Sequence, residues 1–251
     1  MNICIFDTET TSLDKPFCYN IGYTIVNTDT IPWECLVKKD FVVEQVWHNI
    51  MLFSTAYYAN KRQGYIKSMR GKTSTMNKFG YITQEMIRDF KFYNVSHAYA
   101  YNSSFDERVF DFNCDWFKCI NPFDSIAIHD IRGYACEFLV DGKFKAFCEE
   151  NGFFTESGNY STTAENMYRY VFNDTNFVED HTALSDSIIE SIILERCFFL
   201  GAEIEKDYKC PKSIPRETIK NFTVKKNGEI ILAVPCKSIA YRKSKNLIDL
   251  K

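Results

Sequence analysis

The feature that most restricts this chain lies at its start. The apolar run Ile3-Cys4-Ile5-Phe6 opens directly onto Asp7-Thr8-Glu9-Thr10-Thr11. Four apolar residues in a row leave no polar face for water, so the run suits a strand covered on both sides. The period of two in an extended chain then places Asp7 and Glu9 on the same side of the backbone, just where the buried strand emerges.

The pattern downstream tells what covers that strand. Residues 19–27 and 33–38 alternate well enough to be the next two strands, joined through Thr28-Asp29-Thr30. Thr83 is a candidate cap for a helix to about residue 93, with Met86, Ile87 and Phe90 at helical spacing, and residues 96–101 read as a fourth strand. Asn102 is then the expected N-cap of a helix holding Phe105, Val109 and Phe112, and a short fifth strand is expected near residues 116–120, before Asn121-Pro122. From there the pattern is helical: residues 125–138, 143–151, 162–172 and 183–199. Strands first, then strand and helix in alternation, then helices alone, predict an α/β fold: a mixed sheet of about five strands flanked by helices. Gly201 ends this domain, residues 1–200. Residues 201–251 form a small C-terminal extension, in which Asn227-Gly228 between residues 222–226 and 229–234 signals a hairpin.

Charge divides the chain at the same place. The net charge is only −3, which by itself advertises no nucleic-acid partner, but residues 203–251 carry twelve Lys/Arg against six Asp/Glu and are distinctly basic. With 45% apolar and 25% charged residues the chain is expected to be globular, not disordered. Its ten cysteines include no C-x-x-C pair, so they are expected to be thiols in a reducing compartment rather than zinc ligands or disulfides. The N-terminus has no basic stretch before its apolar run, and no stretch approaches the roughly 20 apolar residues of a membrane span. A soluble, cytoplasmic protein is expected.

Three short motifs carry chemistry. The first is Asp7-Thr8-Glu9 at the end of the buried strand. The second is Asn102-Ser103-Ser104-Phe105-Asp106, with its carboxylate in the first turn of a helix. The third is His181-Thr182-Ala183-Leu184-Ser185-Asp186, opening the long late helix; the chain has only four histidines. Each alone has an ordinary explanation: a solvated strand end, a helix dipole, a surface histidine. Together, in this order and these contexts, they closely resemble the DEDDh class of 3′-to-5′ exonucleases, which includes proofreading subunits and RNA-trimming enzymes. The resemblance covers residues 1–200 and implies a ribonuclease-H-like fold. Ser12, where that class usually has glycine, an expanded segment from about 44 to 82, and the basic extension depart from it. Thr182 stands where the Tyr-containing sister class would need its tyrosine.

The chemistry of the residues agrees. Asp7, Glu9, Asp106 and Asp186 would form a hard oxygen site for two Mg²⁺ or Mn²⁺ ions, able to hold the attacking and leaving oxygens of a displacement at phosphorus. His181, titrating near neutrality, is the candidate base for the attacking water. Leu13 and Phe105 flank the acids where the exonuclease class places residues that wedge or stack terminal nucleotides, and Thr8, Thr10 and Asn102 join them as expected substrate contacts. Between Glu44 and Glu85 no acid occurs, while Lys61, Arg62, Lys67 and Arg70 alternate with tyrosines, a mixture suited to phosphates and unpaired bases. The expected function is therefore release of nucleoside monophosphates from single-stranded DNA, in proofreading or DNA processing, with a polymerase or replication partner for the extension. The alternatives are an RNA exonuclease and a non-catalytic nucleic-acid or polymerase-binding module.

Overall fold

The computed structural model describes residues 1–216 in full and, beyond them, the backbone of Ile219–Lys226 and Glu229–Lys237. Strands β1 (Asn2–Thr10), β2 (Cys18–Asn27) and β3 (Glu34–Val43) come first. The inserted segment then supplies α1 (Glu44–Trp47), α2 (Ile50–Phe53), a 3-10 turn (Ala59–Lys61), α3 (Arg62–Arg70) and β4 (Thr75–Asn77). There follow α4 (Phe79–Phe92), β5 (His97–Ala100), α5 (Ser103–Phe117), β6 (Ala127–Asp130), α6 (Ile131–Phe138), α7 (Gly142–Asn151), α8 (Ala164–Phe172) and α9 (Ala183–Phe199). The chain divides into two compact units, Met1–Gly152 with Thr162–Pro211, and Phe153–Ser161 with Lys212–Lys251. In the second, Tyr160 bridges to Phe154 and Ile214, and β7 (Ile219–Lys226) pairs antiparallel with β8 (Glu229–Lys237). This is the expected hairpin; its Asn227-Gly228 turn lies outside the described residues.

The first unit is built on a six-stranded sheet of order β4-β3-β2-β1-β5-β6. β1, β2 and β3 form an antiparallel meander, while β5 and β6 run parallel to β1. Ile3 to Phe6 are wholly buried, as the unbroken apolar run predicts. The sixth strand is β4, which the insertion lays parallel to β3.

Several expectations are corrected. The strand expected near residues 116–120 is the end of α5 and the turn after it, with Lys118 in the left-handed conformation closing the helix; Trp116 and Ile120 are exposed, so their apolar character reflects no burial. The strand that pairs with β5 is instead β6, within the stretch read as helix from residue 125. That helix starts only at Ile131, because the Asp130 side chain accepts from Arg132 N and caps it there. Thr83 lies inside α4, which begins at Phe79, and Asn102 occupies the N-cap position of α5 with φ 60° and no side-chain cap bond.

The crossing of α9 over the sheet decides where the site forms. Gly22 on β2 pairs with Asp7 on β1, and a Cβ at Gly22 would stand 2.0 Å from Leu184 N. Only glycine lets the first turn of α9 rest directly on the sheet at the level of Asp7. Asn20 fixes the same helix end: its Oδ1 accepts from Ala183 N (2.9 Å) and from Tyr65 Oη on α3 (3.0 Å), and its Nδ2 donates to Asp40 and Phe41 on β3. Among the described residues no helix is long and apolar enough to cross a membrane.

Candidate active site

Asp7 and Glu9 leave β1 on one side, and α9, seated on Gly22, brings Asp186 down to them. One carboxylate oxygen from each of the three lies within 4.8 Å of the others. Asp106, buried in the first turn of α5, joins through Thr8, whose Oγ1 donates to Asp106 Oδ1 at 2.6 Å. Thr8, expected to touch substrate, is largely buried and holds this acid in place, and it also lines the cleft that opens beside the acids.

Burial pushes all four acids up, and for Asp7, Glu9 and Asp186 repulsion from others of the set adds to it. Burial drives the Asp7 carboxyl well above its ordinary range, and Asp106, Glu190, Asp186 and Glu9 add to it. Burial raises Glu9 to about 8 against the pull of Lys61 and the Tyr19 hydroxyl. It raises Asp186 to about 9, with Glu179 and Glu9 adding, and Asp106 to about 7 despite the Thr8 hydrogen bond. Asp186 Oδ1 is buried with no hydrogen-bond partner. A crowded set of carboxylate oxygens, one of them orphaned, fits a hard divalent cation.

The pattern of motifs passed over Glu190. It lies four residues after Asp186, on the same face of α9, is 3% exposed, and accepts from Tyr101 N at 3.3 Å. Its carboxyl too is pushed well above the ordinary range, by burial and then by Asp106 and Asp186. The available signal was a lone acid within an otherwise apolar stretch at i+4 from a motif acid.

His181 sits just before α9 with φ 47°, a conformation unusual for a residue with a side chain. Its Nδ1 is 3.5 Å from Glu179 Oε2, and its ring stacks on Tyr58 from the insertion, centroids 4.6 Å apart at 14°. Burial and then Lys61 lower its pKa, against Glu165 and Asp180. Lys61 donates to Asp180 O and lies over the Tyr58 ring.

Beside the acids opens a cleft of about 470 Å³ whose lining includes Glu9, Thr10, Leu13, Phe105, Tyr57 and Tyr58. Thr10, Leu13 and Phe105, expected to touch substrate, line this cleft, and Tyr57 and Tyr58 come from the basic, tyrosine-bearing insertion expected to meet unpaired bases. Asn102 is exposed, its N–H donating to Asp130 Oδ1, and is not part of this lining. The four expected phosphate contacts separate. Lys61 is at the acids, Arg62 packs its guanidinium over Trp47 and Phe53, and Lys67 and Arg70 are exposed on the last turn of α3.

No family model matches the chain, and no curated protein matches it in sequence. Solved structures do. The nuclease domain of 3′hExo, a DEDDh family member bound to rAMP, is similar over 81% of this chain and 94% of its own, at 15% identity and a TM-score of 0.56. A 3′-exonuclease solved for its 3′-end recognition of the histone mRNA stem-loop is similar over 93% and 90%, at 13% identity and a TM-score of 0.52. At such identities the likeness shows the fold: the six-stranded sheet and its helices have the ribonuclease-H-like arrangement of these exonuclease domains.

Proposed function

We propose that this chain, on the ribonuclease-H-like fold, is a metal-dependent 3′-to-5′ exonuclease releasing nucleoside monophosphates from single-stranded nucleic acid. One observation carries the reading: Asp7, Glu9 and Asp186 gather three carboxylate oxygens within 4.8 Å, with Asp186 Oδ1 buried and unpartnered beside them. Asp7, Glu9, Asp106 and Asp186 would hold divalent ions, two in number and Mg²⁺ or Mn²⁺ in kind. Bound there, such ions supply charge and Lewis acidity to a phosphodiester.

The chain's own residues do the rest. Leu13, Phe105 and Tyr57, which line the cleft, give a terminal nucleobase apolar surfaces to stack against. His181 takes the proton of the attacking water, a role suited to an imidazole whose pKa is drawn below its ordinary value and which is therefore neutral at physiological pH. Tyr19 and Lys61 steady Glu9.

Single-stranded DNA is the polymer expected from the sequence, in proofreading or DNA processing, with the basic extension offered to a polymerase or to the substrate. A second reading, RNA, is favoured by one observation: the two similar structures carry rAMP and an mRNA stem-loop. A cytoplasmic setting, where its cysteines stay reduced, is part of the same reading. The test is a panel of 5′-labelled DNA and RNA oligomers with Mg²⁺, Mn²⁺ or EDTA. Stepwise shortening from the 3′ end with mononucleotide release, stopped by EDTA, is expected. Intact oligomers with either metal, or internal cuts, would overturn the proposal.

A further inference from the structure

The base itself is weakly held by its own backbone. His181 stands in the left-handed region at φ 47°, which in a residue with a side chain persists only where surroundings enforce it. An exposed imidazole on such a loop would sample several rotamers. A base must instead present one ring nitrogen to the water it activates.

Three contacts remove that freedom, and none uses a motif residue other than the histidine. Glu179 Oε2 stands 3.5 Å from Nδ1. The Tyr58 ring lies nearly parallel to the imidazole at 4.6 Å, closing one of its faces. Lys61, three residues on from Tyr58, caps that tyrosine at 4.8 Å and donates to the carbonyl of Asp180, the residue before His181. Glu179 is itself anchored: its N–H donates to Glu165 Oε1 at 3.0 Å, Glu165 pairs with Arg169 at 3.1 Å, and Arg169 Nε donates to Phe177 O at 2.8 Å. Thus α8 holds the loop from one side and the insertion holds it from the other.

We propose that Glu179 and Tyr58 are positioning residues for His181: Glu179 accepts from Nδ1–H and so fixes the tautomer, and Tyr58 fixes the ring plane, leaving Nε2 as the free acceptor. The inserted segment then works at the reaction centre as a brace for the base. An oriented acceptor on one imidazole nitrogen sets which form the other takes, so the pair acts without touching substrate. The inference rests on the nuclease reading above only in taking His181 as the base.

Two measurements test it. In the first, turnover is compared for the wild type, Glu179→Ala, Glu179→Gln and His181→Ala, and for Glu179→Ala combined with His181→Ala. Glu179→Ala should lower kcat about 10- to 100-fold, the size seen when an orienting partner is removed, with KM within about threefold. Glu179→Gln, which keeps an acceptor, should recover most of the loss. In the His181→Ala background Glu179→Ala should cost nothing further, because its effect passes through the ring. An equal loss in both backgrounds would overturn the proposal. The second uses no turnover: imidazole nitrogen NMR on the full chain, with His181 assigned by its loss in His181→Ala. The Nδ1–H tautomer is expected in the wild type, and a mixture in Glu179→Ala. An Nε2–H tautomer in the wild type, or the same spectrum in both, would overturn it. A wild type without nuclease activity would sink the nuclease reading alone, since the spectra judge the brace without turnover.

Discussion

The two ends of one pair of parallel strands, β1 and β5, treat buried polar groups in opposite ways. At the end where β5 begins, His97 Nδ1 meets His129 Nε2 at 2.9 Å and His129 Nδ1 meets Asp207 Oδ1 at 2.7 Å, while the Tyr99 and Tyr134 hydroxyls donate to carbonyls of residues 203–206. Donors there face acceptors. At the other end Asp7, Glu9, Asp106, Asp186 and Glu190 face one another, each pushed above its ordinary range, with one oxygen left unpartnered. Paired polar groups hold a fold together; an uncompensated acid cluster destabilises it, and its presence makes sense only if something positive is bound there. On the proposed reading the first end serves stability and the second binds charge.

The sharpest way to break that contrast is to neutralise the acidic end. Asp7→Ala, Glu9→Ala, Asp106→Ala or Asp186→Ala should each lower turnover by roughly 10³-fold or more, because each removes part of the proposed ion-holding set. The same substitutions should leave thermal stability without metal unchanged or raised, since each relieves repulsion. Turnover and Tm measured on the same preparations decide it; an acid whose loss spares turnover would leave the site.

The two histidine environments give the next test. His181→Ala should cost about 10² to 10⁴ in kcat with little loss of folding stability. His129→Ala should do the reverse, costing about 1–3 kcal/mol of stability by leaving the His97 ring without its partner, with turnover kept within a few-fold. If both variants lost stability and activity alike, the two ends would not differ in kind.

Titration sharpens the comparison further. Asp106 at about 7, Glu9 at about 8 and Asp186 at about 9 keep protons in the folded chain that the unfolded chain loses near pH ~4. Their contribution is present in full below pH ~4 and is lost as the pH climbs through these raised values. Without metal, Tm should therefore fall between pH 5 and 9. Mg²⁺ or Mn²⁺ at about 100 times its Kd should restore it by roughly 5–10 °C at the alkaline end. Calorimetry with and without EDTA reads this directly, and a Tm that ignores metal across the range would remove the ion site.

What the sequence disclosed follows the same division. β1, α9 and the three motifs were legible because a buried strand and a long helix impose their own periods, and because paired acids at their ends have a fixed spacing. The swap of strand and helix around residues 116–130 was not, since exposed Trp116 and Ile120 mimic a buried strand and β6 has only four residues. Glu190 was hidden in an apolar helix, and Glu179 and Tyr58 become meaningful only when α8 and the insertion fold against the loop before His181. Pairings of that kind join residues about 120 positions apart, as Lys61 and Asp180 are, and leave no periodic trace.

The smallest expected effect concerns the cations of the insertion, read from the sequence as one phosphate-binding group. Arg62 is spent on Trp47 and Phe53, 4.5 and 5.1 Å away, and Lys61 on Asp180 and Tyr58, so both serve the local fold and the site. Lys67 and Arg70 remain exposed on the last turn of α3, free to meet a backbone phosphate. Replacing both by Ala should weaken single-strand binding for all sequences alike and reduce the slope of log affinity against log salt by about 0.7 for each phosphate no longer neutralised, with kcat unchanged. Arg62→Ala should instead lower stability with little change in salt slope, because its removal uncovers aromatic surface rather than releasing a phosphate. Fluorescence anisotropy over a salt series separates the two. An unchanged slope in the Lys67/Arg70 variant would remove this face of α3 from the chain's hold on nucleic acid.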